Sequence, residues 1–536
     1  MVRRSWIPVS WLQIVGGIIG VMVWANPLSC LGLTGSELRQ QAQGVTVLVD
    51  GLNPGSGVIV AHDARRSRYW VLTAQHVVAT ADEYRIVTPD GQEYLVDYNT
   101  VHQLTGVDLA LVAFDSTRTY PIAVLADYPQ SQTFPYVAVS GWTGSHIYQE
   151  PINHEFAVGQ LLRRRYGMLY ARQPFAYGYG LFYTSITEQG MSGGPIMDTA
   201  GRVIGIHGRS EGEEHYLPHQ GEAIRLHWGF SSGIPLPPPA TLRTLIDGNP
   251  RWHWQSTPPD PLTLMEERSF QGLAQPVEAT PTNAVDWTNR GNQLYRLEQF
   301  EPAIAAFEAA IALQPDFYQA WYGLVQVLTI QERYDEARKI CDHILTLQPN
   351  FYQVMRDRAL LWVLQENFEQ AVADFDQVVQ QAPNDYVAWY LRGNLFWKHM
   401  GWDEAALGSY DRALTIAPTF AEVWVERGRV LQHLGYDEEA IASLQQAIHH
   451  EPDLDIAWYW LAMFYQDRDQ ITALAASQQA ATIVPTNMDY LLLYSQLLIQ
   501  TGQSSMARPL LEQILAVDPQ HRTAQEMLQT LTKINE

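Results

Sequence analysis

Gln189-Gly190-Met191-Ser192-Gly193-Gly194-Pro195 sets one serine among glycines, directly ahead of an apolar strand, Ile196-Met197. Glycines at these places allow a tight turn in which backbone N–H groups converge. A serine hydroxyl is a poor nucleophile at neutral pH and needs an adjacent base. Two upstream segments supply the partner types. Thr73-Ala74-Gln75-His76-Val77 follows a β run, and Gly106-Val107-Asp108-Leu109-Ala110-Leu111 opens another. Alone, His76 reads as a satisfied core histidine and Ser192 as part of an ordinary turn. Together with Asp108, in the order His, Asp, Ser, they point to nucleophilic catalysis.

From about residue 45 to 234 the chain alternates short β runs with turn residues. Val45-Thr46-Val47-Leu48-Val49, Ser56-Gly57-Val58-Ile59-Val60 and Tyr69-Trp70-Val71-Leu72-Thr73 are examples, and Pro89-Asp90-Gly91 is one of the turns. This is an all-β sandwich or barrel pattern. The length suits two small barrels.

The serine turn together with Thr73-Ala74-Gln75-His76 resembles the chymotrypsin-type serine proteases, and the resemblance covers most of residues 45–234. It implies an all-β double barrel and a catalytic set of His76, Asp108 and Ser192. His76 would be the base, Asp108 would orient it, and the N–H groups of Gly190 and Ser192 would form the oxyanion hole. In the digestive enzymes a new Ile-Val-Gly-Gly terminus pairs with an aspartate before the serine. Here Met191 stands there, and Ile14-Val15-Gly16-Gly17 lies inside an apolar N-terminal run. The site should therefore need no such activation, as in many bacterial members. Trypsin's aspartate six residues before the serine is replaced by Ile186, which argues against Arg or Lys at P1. His207, fifteen residues after Ser192, and Thr187, five before it, are similar to the pair with which glutamyl endopeptidases grip an acidic P1 side chain. An imidazole N–H and a hydroxyl can both donate to a carboxylate. The competing reading makes His207 a strand cap that touches no substrate. Glu211, Glu213 and Glu214, read as a nearby loop, would oppose anionic substrates at long range. His102, His146, His154, His215 and His219 show no metal-ligand spacing and read as surface residues. No metal or cofactor is implied.

Seven prolines stand at 315, 349, 383, 418, 452, 485 and 519, spaced by 34, 34, 35, 34, 33 and 34 residues. Twelve residues before each is an alanine: Ala303, Ala337, Ala371, Ala406, Ala440, Ala473 and Ala507. With Trp287-Gly291, Trp389-Gly393 and Trp424-Gly428, this period resembles the tetratricopeptide repeat. The small residues let two helices approach, and proline stops the second helix. Phe307, Phe375, Tyr410 and Leu444 recur four residues after the alanine and read as core; Cys341 takes the same slot and reads as buried and inert. The resemblance implies a right-handed solenoid with a concave face for a protein partner.

The domain plan is therefore a multidomain chain: residues 36–246 a trypsin-like domain, 247–283 a connector rich in proline, threonine and glutamine, 284–519 seven repeats, and 520–536 a capping helix. Trp252 and Trp254 give the connector something to dock with. Each half should hold its own core, so residues 45–246 are expected to fold and act without the repeats. Residues 1–35 begin with Arg3-Arg4 and an uncharged stretch whose apolar heart is Ile7 to Ala25. That is a signal peptide cut after Ala25 or a retained membrane anchor. Both place the bulk outside the cytoplasm, in the periplasm or beyond the cell. The layout resembles cyanobacterial peptidase–repeat fusions, which adds the thylakoid lumen. Cys30 and Cys341 are the only cysteines, too few for a disulfide framework.

Lys and Arg number 34 against 57 Asp and Glu, a net charge of -23. This excludes the basic footprint of a nucleic-acid binder. The acidity is uneven: -17 from Ala284 onward and -6 before it. Hydrophobic residues at 46% and charged ones at 17% exclude a largely disordered chain. Two functions fit: an exported serine endopeptidase whose repeats recruit substrate or partner proteins, or a catalytically silent protease fold serving with the repeats as a scaffold.

Overall fold

A computed structural model of the chain describes residues 33–126, 136–146, 148–162, 176–185, 187–216, 223–246, 250–274 and 281–534. The N-terminal segment with Ile14–Gly17 and Cys30, together with Ile186 and His219, lies outside the described residues. So do the side chains of Glu213, Glu214 and His215. The described chain forms two compact units, divided between Ile340 and Cys341.

The first unit opens with helix α1 (Gly35–Val45), started by a reciprocal Thr34–Glu37 capping box and seated by Leu38, Ala42 and Val45. Strands β1 (Thr46–Asp50), β2 (Gly55–Asp63), β3 (Arg68–Thr73), β4 (Tyr84–Val87), β5 (Glu93–Val96), β6 (His102–Gln103) and β7 (Ala110–Asp115) form one curled antiparallel sheet, in the order β5-β4-β1-β2-β3-β7-β6. Every residue of β1 is buried. β8 (Val124–Ala126) leads to β9 (Tyr136–Thr143), β10 (Asn153–Leu162), β11 (Leu181–Tyr183), β12 (Pro195–Met197), β13 (Val203–Tyr216) and β14 (Ala223–Pro235). β9-β10-β11-β14-β13-β12 closes on itself through a β12–β9 pairing. Closure leaves this six-stranded barrel without an edge. Val139, Tyr183, Ile196 and Ile204 pack inside it.

The connector straps the two sheets together. After a short helix α2 (Pro239–Thr244), strand β15 (Arg251–Gln255) pairs with β2 on one side and β8 on the other. Helix α3 (Leu264–Leu273) buries Phe270, which stacks on Tyr136 of β9, in a core cluster shared by both sheets, and Trp252 and Trp254 pack against the same cluster. Arg202, ion-paired to buried Asp198 at 2.7 Å, donates to the Thr257 carbonyl. The expected extended stretch thus gains a strand and a helix, because its aromatic residues find apolar ground.

The first repeat belongs to this unit. Helix α4 (Ala284–Arg296) lies on β14 and pairs with α5 (Phe300–Leu313), followed by α6 (Tyr318–Ile330). The His227 N–H donates to Asn289 Oδ1 and the Asn292 amide donates to the His227 carbonyl, both at 2.7 Å. Arg296 Nε donates to the Trp228 carbonyl at 3.0 Å, its guanidinium 5.3 Å from the Phe230 ring centre. Gly229, at φ +77°, has no room for a β-carbon, which would meet the Asn292 carbonyl at 2.5 Å. Leu226 shares a core with Ala284, Val285, Ala310, Phe317 and Ala320. A boundary at residue 246 therefore falls inside one compact unit.

Helix α7 (Tyr334–Leu347) leads into the second unit. There the hairpins are α8 (Tyr352–Leu364) with α9 (Phe368–Gln381), α10 (Tyr386–Leu395) with α11 (Asp403–Ile416), and α12 (Ala421–His433) with α13 (Asp437–His450). Then come α14 (Asp455–Tyr465) with α15 (Gln470–Ile483), α16 (Met488–Gln500) with α17 (Ser504–Val517), and a last helix α18 (Arg522–Ile534). The repeating residues have visible work. All seven alanines are fully buried. A β-carbon on Gly393 would meet Tyr410 Cε1 at 2.5 Å. Trp389, Trp424 and Trp458 donate from Nε1 to the carbonyls of Pro383, Pro418 and Pro452, six residues back, at 2.7–3.0 Å. The 35-residue interval coincides with a π turn, Phe396–Met400, which absorbs the extra residue. Buried Cys341 is a free thiol, its pKa pushed up by desolvation.

Candidate active site

His76 sits on a single 3₁₀ turn, Gln75–Val78, at the end of β3. Asp108 holds it twice. Asp108 Oδ1 accepts from the His76 backbone N–H at 2.9 Å, and Oδ2 faces Nδ1 at 2.8 Å. The His76 side chain is 46% exposed and that of Asp108 13%, so the ring presents its far edge to solvent. Burial raises the Asp108 pKa, but hydrogen bonds from the His76 ring and backbone and from Tyr179, with the His76 charge, outweigh it and hold the carboxyl below its ordinary value.

Ser192 lies on the turn before β12. Gly190 and Gly193 have φ of +99° and +91°, a region that penalises a side chain. A β-carbon on Gly193 would also strike the Ser56 carbonyl and Thr73 Oγ1. The turn is locked to the first sheet: Ser56 N–H donates to the Ser192 carbonyl at 2.7 Å, and Ser56 Oγ to the Gly190 carbonyl at 2.8 Å. These bonds fix the serine turn relative to β2 and β3, and hence to His76. Among the described residues no acceptor takes the N–H of Gly190 or of Ser192. Ser192 Oγ donates to the Gly208 carbonyl at 2.8 Å and makes no hydrogen bond to His76. In free enzymes such contacts are often long and tighten when substrate binds.

His207 lies within β13, 1% exposed, with Nδ1 2.6 Å from the Tyr183 hydroxyl. Burial first, and the His76 charge second, push its pKa down to about 3, so it is neutral. Thr187 Oγ1 lies 2.5 Å from Ser210 Oγ and 3.1 Å from Ser231 Oγ. The β13–β14 register sets Ser231 opposite Ser210 and Gly233 opposite His207.

Residues 55–206 match the trypsin-like peptidase domain family, and 288–350, 325–392 and 421–452 match tetratricopeptide repeat families. The chain carries a trypsin-like peptidase domain followed by tetratricopeptide repeats. No curated protein matches it. Among solved structures, the APC/C hetero-tetramer Cut9-Hcn1 is similar over 40% of this chain and 43% of its own, at 16% identity and a TM-score of 0.36. YrrB, a repeat protein with an unusual peptide-binding site, is similar over 33% of this chain and 90% of its own, at 23% identity and 0.28. A repeat protein from Parabacteroides merdae matches over 46% and 98%, at 15% identity and 0.37.

Two expectations about the peptidase domain change. Glu211 is not on a loop. It lies in β13, 2% exposed, accepting from Ser232 Oγ at 2.6 Å and Arg209 Nε at 2.9 Å, so its charge is met locally. His154 is half buried beside Trp142, hydrogen-bonded to Ser140 Oγ at 2.8 Å, with burial and the Arg39 charge pushing its pKa down to about 4. Tyr179, Tyr183, Ser210 and Ser231 sit in no motif that the sequence marks. Among the described residues no cluster of three His, Cys, Asp or Glu side chains could hold a metal ion.

Proposed function

We propose that the protein is an exported serine endopeptidase whose repeats bring it substrate or partner proteins. The observation that carries the reading is the doubly held His76–Asp108 pair next to a serine turn with two unengaged N–H groups. On substrate binding, Ser192 Oγ leaves the Gly208 carbonyl for His76 Nε2. Nε2 takes the hydroxyl proton as Oγ bonds to the scissile carbonyl carbon. The carbonyl π pair moves onto oxygen, where the Gly190 and Ser192 N–H groups stabilise it. Collapse breaks the C–N bond, and the imidazolium returns the proton to the departing amine. Water then releases the acyl group by the same steps in reverse. Asp108, ionised throughout, fixes the tautomer and stabilises the imidazolium.

An acidic residue, glutamate ahead of aspartate, is proposed at P1. Tyr183, donating to His207 Nδ1, leaves a neutral Nε2–H as donor, and the Thr187–Ser210 hydroxyls add to it. Buried donors left unpaired by an apolar P1 discriminate strongly. Export is proposed on the apolar N-terminal run, as a cleaved signal or a retained anchor, which lies outside the described residues; no described helix is long and apolar enough to cross a membrane. The repeats' partner is proposed to be a protein on their concave face. A peptide-library profile of the full chain, with and without His207→Ala, tests the specificity. Cleavage after Glu that His207→Ala selectively weakens supports it. Efficient cleavage after Arg or Phe with indifference to Glu rejects it.

The engagement of Ser192 Oγ with Gly208 rather than His76 favours a second reading, a silent protease fold acting as scaffold. Failure of the serine to react with a fluorophosphonate would select it.

A further inference from the structure

The chain just before β11 backs the His76–Asp108 pair. Tyr177 and Gly178 are consecutive left-handed residues, with φ of +56° and +84°. Such backbone at a tyrosine is costly and persists where its surroundings hold it. Here the Tyr177 carbonyl accepts the Asp108 N–H at 2.7 Å, and Gly178 leaves room for Val107, whose Cγ1 would lie 2.7 Å from a β-carbon. The turn delivers Tyr179, 4% exposed, to the carboxylate. Its hydroxyl donates to Asp108 Oδ2 at 2.6 Å, beside the His76 ring. The ring is held from its other side by the Arg209 guanidinium, 4.3 Å from its centre, itself tied to buried Glu211. Space for the ring depends on Gly208, where a β-carbon would run into Tyr179 Cε1 and its hydroxyl.

We infer that Tyr179 is a positioning residue for the reaction, its hydroxyl fixing the Asp108 carboxylate in the orientation that holds His76. The inference rests on the serine-peptidase reading above. Oδ1 is engaged by the His76 backbone and Oδ2 by two donors, so the carboxylate has no free oxygen about which to swing. Burial and the adjacent carboxylate push the Tyr179 pKa up, so the phenol remains a donor through any working pH. Without it, Oδ2 loses a short, charge-assisted bond on a carboxylate that is itself only 13% exposed. The carboxylate charge is then less dispersed and favours the protonated imidazole more strongly. The acidic limb of activity should move to higher pH.

The test uses the full chain and a peptide substrate. Tyr179→Phe keeps the ring and its contact with Arg209 and removes only the hydroxyl. The expected result is kcat lowered about tenfold, the scale of one hydrogen bond to a charge. KM should stay nearly unchanged, and the acidic limb of kcat/KM should rise by about half a pH unit. Gly208→Ala, which displaces the ring, should shift the limb in the same direction; if it fails to fold, the isosteric Tyr179→Phe carries the test alone. Fluorophosphonate labelling of the unaltered protein separates the two readings. An unlabelled protein would remove the peptidase reading itself. A labelled protein whose Tyr179→Phe variant keeps full kcat overturns the role of Tyr179 alone. A fall in kcat with an unmoved limb marks a merely structural loss and overturns it as well.

Discussion

Acid should destabilise the peptidase domain, and His207 sets the size of the effect. Its ring is buried, and its pKa is pushed down to about 3, whereas an unfolded histidine titrates near ~6.5. Between those values the unfolded chain takes up a proton that the folded chain refuses. Stability therefore rises with pH across this window: it is complete above about 6.5 and is lost as pH falls toward about 3. At about 1.4 kcal/mol per pKa unit, moving from pH 7 to pH 4 removes about 3 kcal/mol through this one group. Half-buried His154, with its pKa near 4, acts in the same direction, more weakly because water reaches it. Asp108 adds to the loss only at lower pH: its depressed pKa gives stability that is present above the unfolded carboxyl value and disappears as pH falls through the folded one. Urea unfolding at pH 7, 6, 5 and 4 measures the sum, and His207→Gln isolates the main contributor, since an amide does not titrate. The variant should be less stable at pH 7 but should lose about 3 kcal/mol less on going to pH 4. Parallel stability–pH curves for the two proteins would refute a buried, neutral His207.

Gly393→Ala should lower the melting temperature of the repeats, at a cost of about 1–3 kcal/mol, because its methyl meets Tyr410 Cε1; peptide hydrolysis should be unchanged, and an unaltered melt would contradict the tight hairpin. A chain ended at residue 246 should be poorly soluble, since it strips α4 from β14 and leaves Leu226 and Phe230 without their cover; one extended to residue 340 should fold, and equal melting of the two would contradict the shared unit.

The fold class was legible because both halves carry strong local signals. The alanine–proline register survives a 35 and a 33 interval, and the structure shows why: the alanines are buried, the tryptophans reach the proline carbonyls, and a π turn takes up the extra residue. His76, Asp108 and Ser192 could be picked out because each sits in a short motif at a strand end. Tyr179 could not. Its contact with Asp108 depends on a left-handed pair at Tyr177-Gly178 and on a missing side chain at the distant Gly208, and neither marks a pattern. The acidic residues around Glu211 suggest a loop, but β13 runs on through it and its carboxylate accepts from Ser232 and Arg209. The seating of α4 on β14 was hidden for a related reason. It uses Asn289, Asn292 and Arg296 against backbone groups of the strand, and backbone partners leave no trace in the sequence.

The most direct test of the central claim is covalent. The full chain is treated at neutral pH with a fluorophosphonate and the modified residue is located by mass spectrometry. The expected result is a single adduct on Ser192 that His76→Ala strongly suppresses, because the hydroxyl reacts only when His76 removes its proton. Folded protein that remains unlabelled, or labelling elsewhere that survives Ser192→Ala, would contradict it.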